Sequence, residues 1–364
     1  MSDPRSSGPR PGPFHATQRS RGARFVESGG FLTPASFDDG GEGRRAARSG
    51  AGLLDLTPGG RIKITGKERK DFLQRISASD LRPLESGSFA PIVFVTPKGR
   101  IVDRALLLDR GESLLLVTSP AGRTRLAAWI RKYVLASDVA LTDITEETAA
   151  FALTGPAAGD LVKKIAGVGV SRLEPGRYLS VPVEDVDTTI APYDGLPSGW
   201  LLLAEAPGVA LVYERAIAAG AAPIGALDAE VLRVEAGIPA DGHELTEDWN
   251  PWEARLDGSF SVAKGCYTGQ EVLARLNTYD KIQRRLVGVR LGPGDPPALP
   301  ARIVRRDASG EEHEAGTLTS AADSDRLGET IGLAYVKRAW EAEGTELYAG
   351  DDRRPARVSA LPFP

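Results

Sequence analysis

The chain has one cysteine, one methionine and three histidines in 364 residues, and these shortages exclude several chemistries before any motif is read. Cys266 has no intrachain partner, so a disulfide framework cannot form, and a closed zinc site of the multi-thiolate kind cannot be assembled. An iron–sulfur cluster held within one chain needs more thiolates than this one has. No apolar run approaches the roughly 18 residues that span a bilayer, and the basic N-terminus lacks the hydrophobic stretch of a signal peptide. A cytoplasmic protein with no membrane partner is expected. Positive charge is not in excess either: 45 Lys plus Arg stand against 49 Asp plus Glu, a net charge of −4, which speaks against nucleic acid as a main partner.

Hydrophobic residues make up 41% of the chain, and its length suits about two to three domains, so it can bury real cores. Residues 1–21 are mostly Ser, Gly, Pro and Arg, a composition expected to remain a disordered tail. From residue 22 to 145 the pattern reads as a first α+β lobe. Strands over 53–56 and 61–64 precede a helix over 67–76, and strands over 90–95 and 101–108 flank the turn Pro97-Lys98-Gly99-Arg100. A similar rhythm over 146–291, with helices over 209–219 and 227–236, forms a second α+β lobe. The break Gly292-Pro293-Gly294-Asp295-Pro296-Pro297 then opens a strand-rich segment, 292–364, that predicts a small β-barrel. The fold class is α+β, with mainly antiparallel sheets in the lobes and a C-terminal barrel.

Lys264-Gly265-Cys266-Tyr267-Thr268-Gly269-Gln270-Glu271 is the most informative segment, because it places the chain's one thiol among residues that would tune it. Thr268 followed by Glu271 reads as a capping box, with Val272, Leu273 and Leu276 as the apolar face of the helix it starts. Cys266 then lies just before a helix N-terminus, where the macrodipole and Lys264 favour thiolate. Gly265 and Gly269 allow close approach of a ligand to the backbone. The alternative, a small buried hydrophobe, stays open. Asp241, His243, Glu244, Glu247 and Asp248 form an acidic cluster whose loop spacing is unspecific, so no metal is expected. Trp249, Trp252 and Phe260 would wall a channel or a core.

The octapeptide resembles the signature of the YgfZ branch of the folate-binding proteins related to GcvT, the aminomethyltransferase (T-protein) of the glycine cleavage system. Further matches run in the same order from about residue 22 to the end. They include Gly99-Arg100-Ile101-Val102-Asp103, Leu232-Arg233-Val234-Glu235-Ala236-Gly237 and Ile331-Gly332-Leu333-Ala334-Tyr335-Val336. The resemblance implies two lobes and a barrel around a central channel that holds tetrahydrofolate or a one-carbon derivative. It also implies Cys266 and Lys264 as the reactive pair, with Asp103, Arg233, Glu235, Tyr267, Gly269, Gln270 and Glu271 toward the folate. For Arg233 and Glu235, which point in different directions, a solvated face or an ion pair elsewhere is the competing reading.

Departures from the pattern bear on activity. Where the aminomethyltransferases carry a paired Asp-Asp, with the second carboxylate credited with the chemistry, this chain has Asp103-Arg104. The resemblance therefore implies a folate-binding protein that serves assembly or repair of iron–sulfur client proteins through its cysteine, with the transferase carboxylate replaced. Its rivals are a tetrahydrofolate-dependent aminomethyl- or methyltransferase and a non-catalytic folate-binding scaffold.

Overall fold

The computed structural model describes residues 8–37, 41–135, 137–167 and 173–364. The chain divides into two compact units that interleave along the sequence. One comprises 1–72, 83–90 and 105–229, and the other 73–82, 91–104 and 230–364. The lobes expected over 22–145 and 146–291 are thus not consecutive blocks, and position 145 falls inside the first unit.

A six-stranded sheet organises the first unit, in the order Leu179–Val183, Val186–Tyr193, Gly199–Glu205, Thr148–Thr154, Gly52–Asp55 and Ala222–Ile224. All its pairings are antiparallel except the last. Thr148–Thr154 is buried along its whole length, and helices Ala158–Ala166 and Ala206–Ala219 cover the sheet with Leu161, Val162, Val209, Val212 and Tyr213. Antiparallel pairing also links Leu106–Asp109, Leu114–Val117, Arg61–Thr65 and Ala140–Asp143.

The expected disorder does not extend through residues 8–21. Arg10–Pro11 pairs with the Phe31–Ser36 strand, and His15–Ser20 is helical. Phe14, fully buried, explains this: its ring stacks on Tyr213 with centroids 4.3 Å apart and meets Phe151 edge-on at 5.9 Å. Burying one such ring contributes about 2–3 kcal/mol, an anchor that an average over Ser, Gly and Arg conceals. Residues 1–7 of the expected tail lie outside the described residues.

A closed barrel dominates the second unit, in the order Arg284–Gly292, Glu329–Lys337, Glu312–Ser324, Ala301–Arg306, Glu346–Ala349 and Arg354–Ser359. Its interior is apolar, with Val289, Ile303, Leu318, Val336 and Leu347. The first barrel strand precedes the Pro/Gly break, so the boundary expected at 292 belongs earlier. The break is a loop inside the barrel. A second core joins the barrel residues Leu333 and Tyr335 to Val93, Ile101, Val234, Trp249, Phe260 and Leu273. Within it Trp249 stacks on Tyr335 at 3.8 Å and Trp252 meets Phe260 edge-on at 4.6 Å, so these aromatics are core residues of the unit.

Candidate functional site

The 264–271 loop and the helix after it lie in the second unit. That helix, Gln270–Thr278, opens at Gly269 in the left-handed region, φ 80°, with no side-chain cap. The expected capping box does not form: Glu271 points along the surface to Arg275, 2.6 Å away. Gly269 gives the reason. A Cβ there would stand 2.5 Å from the Thr96 carbonyl oxygen, so this close backbone approach, together with the positive φ, sets the start of the helix one residue beyond Thr268. Gln270 donates from Nε2 to the Val262 carbonyl at 2.9 Å and closes the loop on itself. Gly269 is therefore occupied by a protein carbonyl, and Glu271 by an exposed ion pair.

Three side chains of this loop, those of Lys264, Cys266 and Tyr267, behave differently. Cys266 is exposed. Lys264 is buried, with its ammonium donating to the carbonyls of Gln74 and of Ser79, the latter at 2.7 Å, and standing 5.0 Å from the Tyr267 ring centre. No hydrogen bond joins that ammonium to the thiol. Its anchoring carbonyls come from a segment about 190 residues earlier, and sequence reasoning missed Gln74 and Ser79 because neither carries a motif. Tyr267 is 8% exposed, and its hydroxyl has no hydrogen-bond partner. A buried phenol without a partner costs about 1–3 kcal/mol, so this is the atom of the loop most in want of a ligand.

Burial pulls the Lys264 ammonium down to about 8 and pushes the Tyr267 phenol up to about 12. The folded chain therefore gives up the lysine proton earlier than the unfolded chain does. Between about pH 8 and roughly 10 the unfolded state binds more protons, and the lysine's contribution to stability rises with pH. Above roughly pH 10 the tyrosine acts oppositely, because the unfolded phenol ionises first. We expect wild type to gain stability over Lys264→Met between pH 8 and 10, read from urea midpoints; parallel pH curves would contradict the assignment.

Asp103 is fully buried on the strand that leaves the 96–100 turn, and its Oδ1 accepts the Arg104 backbone N–H at 2.7 Å. Arg233 and Glu235 are both buried, so they form no solvated face, and each is paired within the protein. All five guanidinium N–H groups of Arg233 are taken: Nε and Nη2 grip Glu230, Nη1 serves Glu244 and the Ile238 carbonyl, and Nη2 also meets Ser320 Oγ at 2.6 Å. Glu244, fully buried, accepts from Thr319 Oγ1, Ser320 Oγ and the Ala240 N–H as well. Glu235 accepts from Ser324 Oγ at 2.6 Å and faces Arg326 at 3.6 Å. These residues clamp the Ala226–Ala236 helix to the Glu312–Ser324 barrel strand. The Arg233 guanidinium and the Glu235 and Glu244 carboxylates are thus engaged by partners within the protein.

The first unit contains a cavity of about 840 Å³, lined by Lys63, Arg110, Tyr178 and Thr189 together with the acids Glu146, Glu147, Asp187 and Glu205. None of the residues singled out in the sequence lines it. No helix among the described residues is long and apolar enough to cross a membrane.

An α+β chain with mainly antiparallel sheets, completed by a closed six-stranded barrel, defines the class of protein. Residues 14–264 match the GCVT N-terminal domain, and residues 284–363 match the glycine cleavage T-protein C-terminal barrel domain. The chain belongs to this GcvT-like family. An aminomethyltransferase of Rubrobacter xylanophilus is 33% identical, over 96% of this chain and 93% of its own. A protein of Arabidopsis thaliana that bears the name of a chloroplastic transferase is 32% identical, over 90% of this chain and 74% of its own. In fold, the chain is similar to the glycine cleavage aminomethyltransferase T of Bartonella henselae, with a TM-score of 0.84 and 22% identity over 98% of each.

Proposed function

We propose that the chain binds tetrahydrofolate and transfers a one-carbon group, aminomethyl or methyl, with it. The observation that carries this reading is the end-to-end match to aminomethyltransferases, which covers 97% of this chain and 97% of the Geobacillus kaustophilus protein. Tetrahydrofolate supplies the nitrogen atoms that carry the one-carbon unit. The chain's own contribution starts at Tyr267, whose buried and unpartnered hydroxyl can hydrogen-bond a polar ring edge. Gly269 and Gln270 keep that tyrosine's loop rigid, and Lys264 holds its stem to the protein.

Tyr267→Phe separates this role from a structural one. Removing a hydroxyl that has no protein partner should leave stability unchanged or raise it slightly. Tetrahydrofolate affinity should fall about tenfold, the worth of one hydrogen bond, measured by quenching of protein fluorescence. Unchanged affinity would remove Tyr267 from the site.

A second reading is favoured by two observations: Cys266 is exposed, and Arg104 stands where the transferases' second carboxylate is implied. In it the protein is of the YgfZ kind, binds folate, and uses the thiol in assembly or repair of iron–sulfur proteins. Ammonia release from an aminomethyl-loaded carrier protein with tetrahydrofolate supports the transferase. No release, with folate binding intact and cellular iron–sulfur enzyme activity lost in Cys266→Ala, supports the second.

A further inference from the structure

The Gly52–Asp55 strand ends on a carboxylate that the fold buries together with Gln18 of the N-terminal segment. Asp55 Oδ1 accepts the Thr57 N–H and Oδ2 accepts Gln18 Nε2, each at 2.8 Å. Both donors are neutral. Among the described residues no lysine or arginine stands at ion-pair distance from Asp55, and the guanidinium of Arg61 is spent on the carbonyls of Thr57, Gly59, Thr145 and Thr148. Burial therefore pushes the Asp55 carboxyl up, against its hydrogen bonds and the weaker pull of Arg61.

Unused oxygen lies around the same carboxylate. Gln18 is 1% exposed, and its Oε1, on the amide whose nitrogen serves Asp55, has no hydrogen-bond partner. Thr57 is equally buried, and its Oγ1 stands beside Asp55 without reaching hydrogen-bond geometry. The Tyr213 phenol stands by Gln18 and is pushed up first by burial and then by the Asp55 charge. Buried acceptors left dry are costly, so two of them beside one uncompensated carboxylate mark the place of a bound species. The donor set selects it. An amide carbonyl and an ionised carboxylate only accept, which turns away an anion and calls for positive charge. Oxygen ligands suit a hard cation, and one carboxylate among neutral oxygens matches a single charge better than a double one.

We infer that Asp55, Gln18 and Thr57 bind a monovalent cation of the K⁺ or NH₄⁺ kind, which ties the His15–Ser20 helix to the six-stranded sheet. All three residues belong to the first unit, and the inference is independent of the folate reading. In the competing accounts a proton on Asp55 or a bridging water fills the place, and neither distinguishes one salt from another.

The experiment is thermal unfolding of the full chain at pH 8 in KCl, NH₄Cl, NaCl and choline chloride at equal ionic strength. K⁺ or NH₄⁺ should raise the midpoint by about 3–5 °C over choline and do so saturably, and the lower half-saturating concentration of the two identifies the preferred ion. Asp55→Asn keeps the shape of the site and should erase the difference between salts. Thr57→Val, which removes only Oγ1, should raise the half-saturating concentration about tenfold. Amide exchange at residues 15–20 should slow about tenfold in K⁺ while that of the barrel strands stays the same. Tl⁺, a K⁺ surrogate that scatters anomalously, should give a crystallographic peak beside Asp55. Equal midpoints in all four salts overturn the inference in favour of a proton or a water. A K⁺ response that persists in both variants, or a Tl⁺ peak found only elsewhere, overturns the assignment to Asp55. Should Asp55→Asn fail to fold, Thr57→Val and the Tl⁺ peak decide.

Discussion

Replacing Arg61 with methionine is expected to lower the unfolding free energy by about 4 kcal/mol, a large share of the roughly 5–15 kcal/mol that holds a folded protein together. Arg61 is fully buried and, among the described residues, forms no direct ion pair with a carboxylate. Its guanidinium instead collects backbone carbonyls from two segments: Thr57 at 2.6 Å and Gly59 from one, Thr145 at 2.5 Å and Thr148 at 2.8 Å from the other. Burial pulls the group down to about 10, which leaves it charged at neutral pH. Methionine fills similar space but strands four buried carbonyls, each costing about 1–3 kcal/mol before relaxation. Arg61→Lys should lose less, since an ammonium still offers three donors. Urea midpoints of the two variants check this; a loss below about 1 kcal/mol for Arg61→Met would mean that water reaches those carbonyls.

Glu244→Leu is expected to cost about 3–5 kcal/mol, because it leaves part of the Arg233 guanidinium and the Ser320 hydroxyl without their buried acceptor, while Thr319 keeps the Leu333 carbonyl. The double variant Arg233→Met with Glu244→Leu should lose clearly less than the sum of the single losses, since it removes both charges together. Thermal midpoints give the coupling. The same proteins test the structural role given to Arg233: every variant that folds should keep wild-type affinity for tetrahydrofolate. Loss of affinity without loss of stability would return Arg233 to the ligand.

Arg233 also shows where reading the sequence stops. The 227–236 helix was legible from its apolar periodicity, and the structure has a helix over Ala226–Ala236. What its polar residues touch was not legible, because Ser320 and Ser324 lie almost 90 residues away and serine side chains carry no pairing signal. The barrel could be read from strand spacing, but its first strand was hidden by the proline and glycine run that follows it. A loop inside a barrel and a linker between domains look alike in composition. The thiol loop was legible as a motif. Its helix start was not, because Gly269 is set by the Thr96 carbonyl, a contact between segments some 170 residues apart.

The interleaving of the two units has a consequence for how the chain is made. Segments 73–82 and 91–104 are synthesised early, yet they belong to a unit completed only by residues 230–364. Ser79 Oγ meets the Ser259 carbonyl at 2.5 Å, and the Ile101 N–H meets the Trp249 carbonyl at 2.9 Å. Contacts of such long sequence separation close late, after the entropy of a large loop has been overcome. On the ribosome, at roughly 5–20 residues per second, those early strands wait about 10–30 s for their partners. Through that interval Val93, Val95 and Ile101, all destined for the core, are exposed to the solvent and to any chaperone within reach.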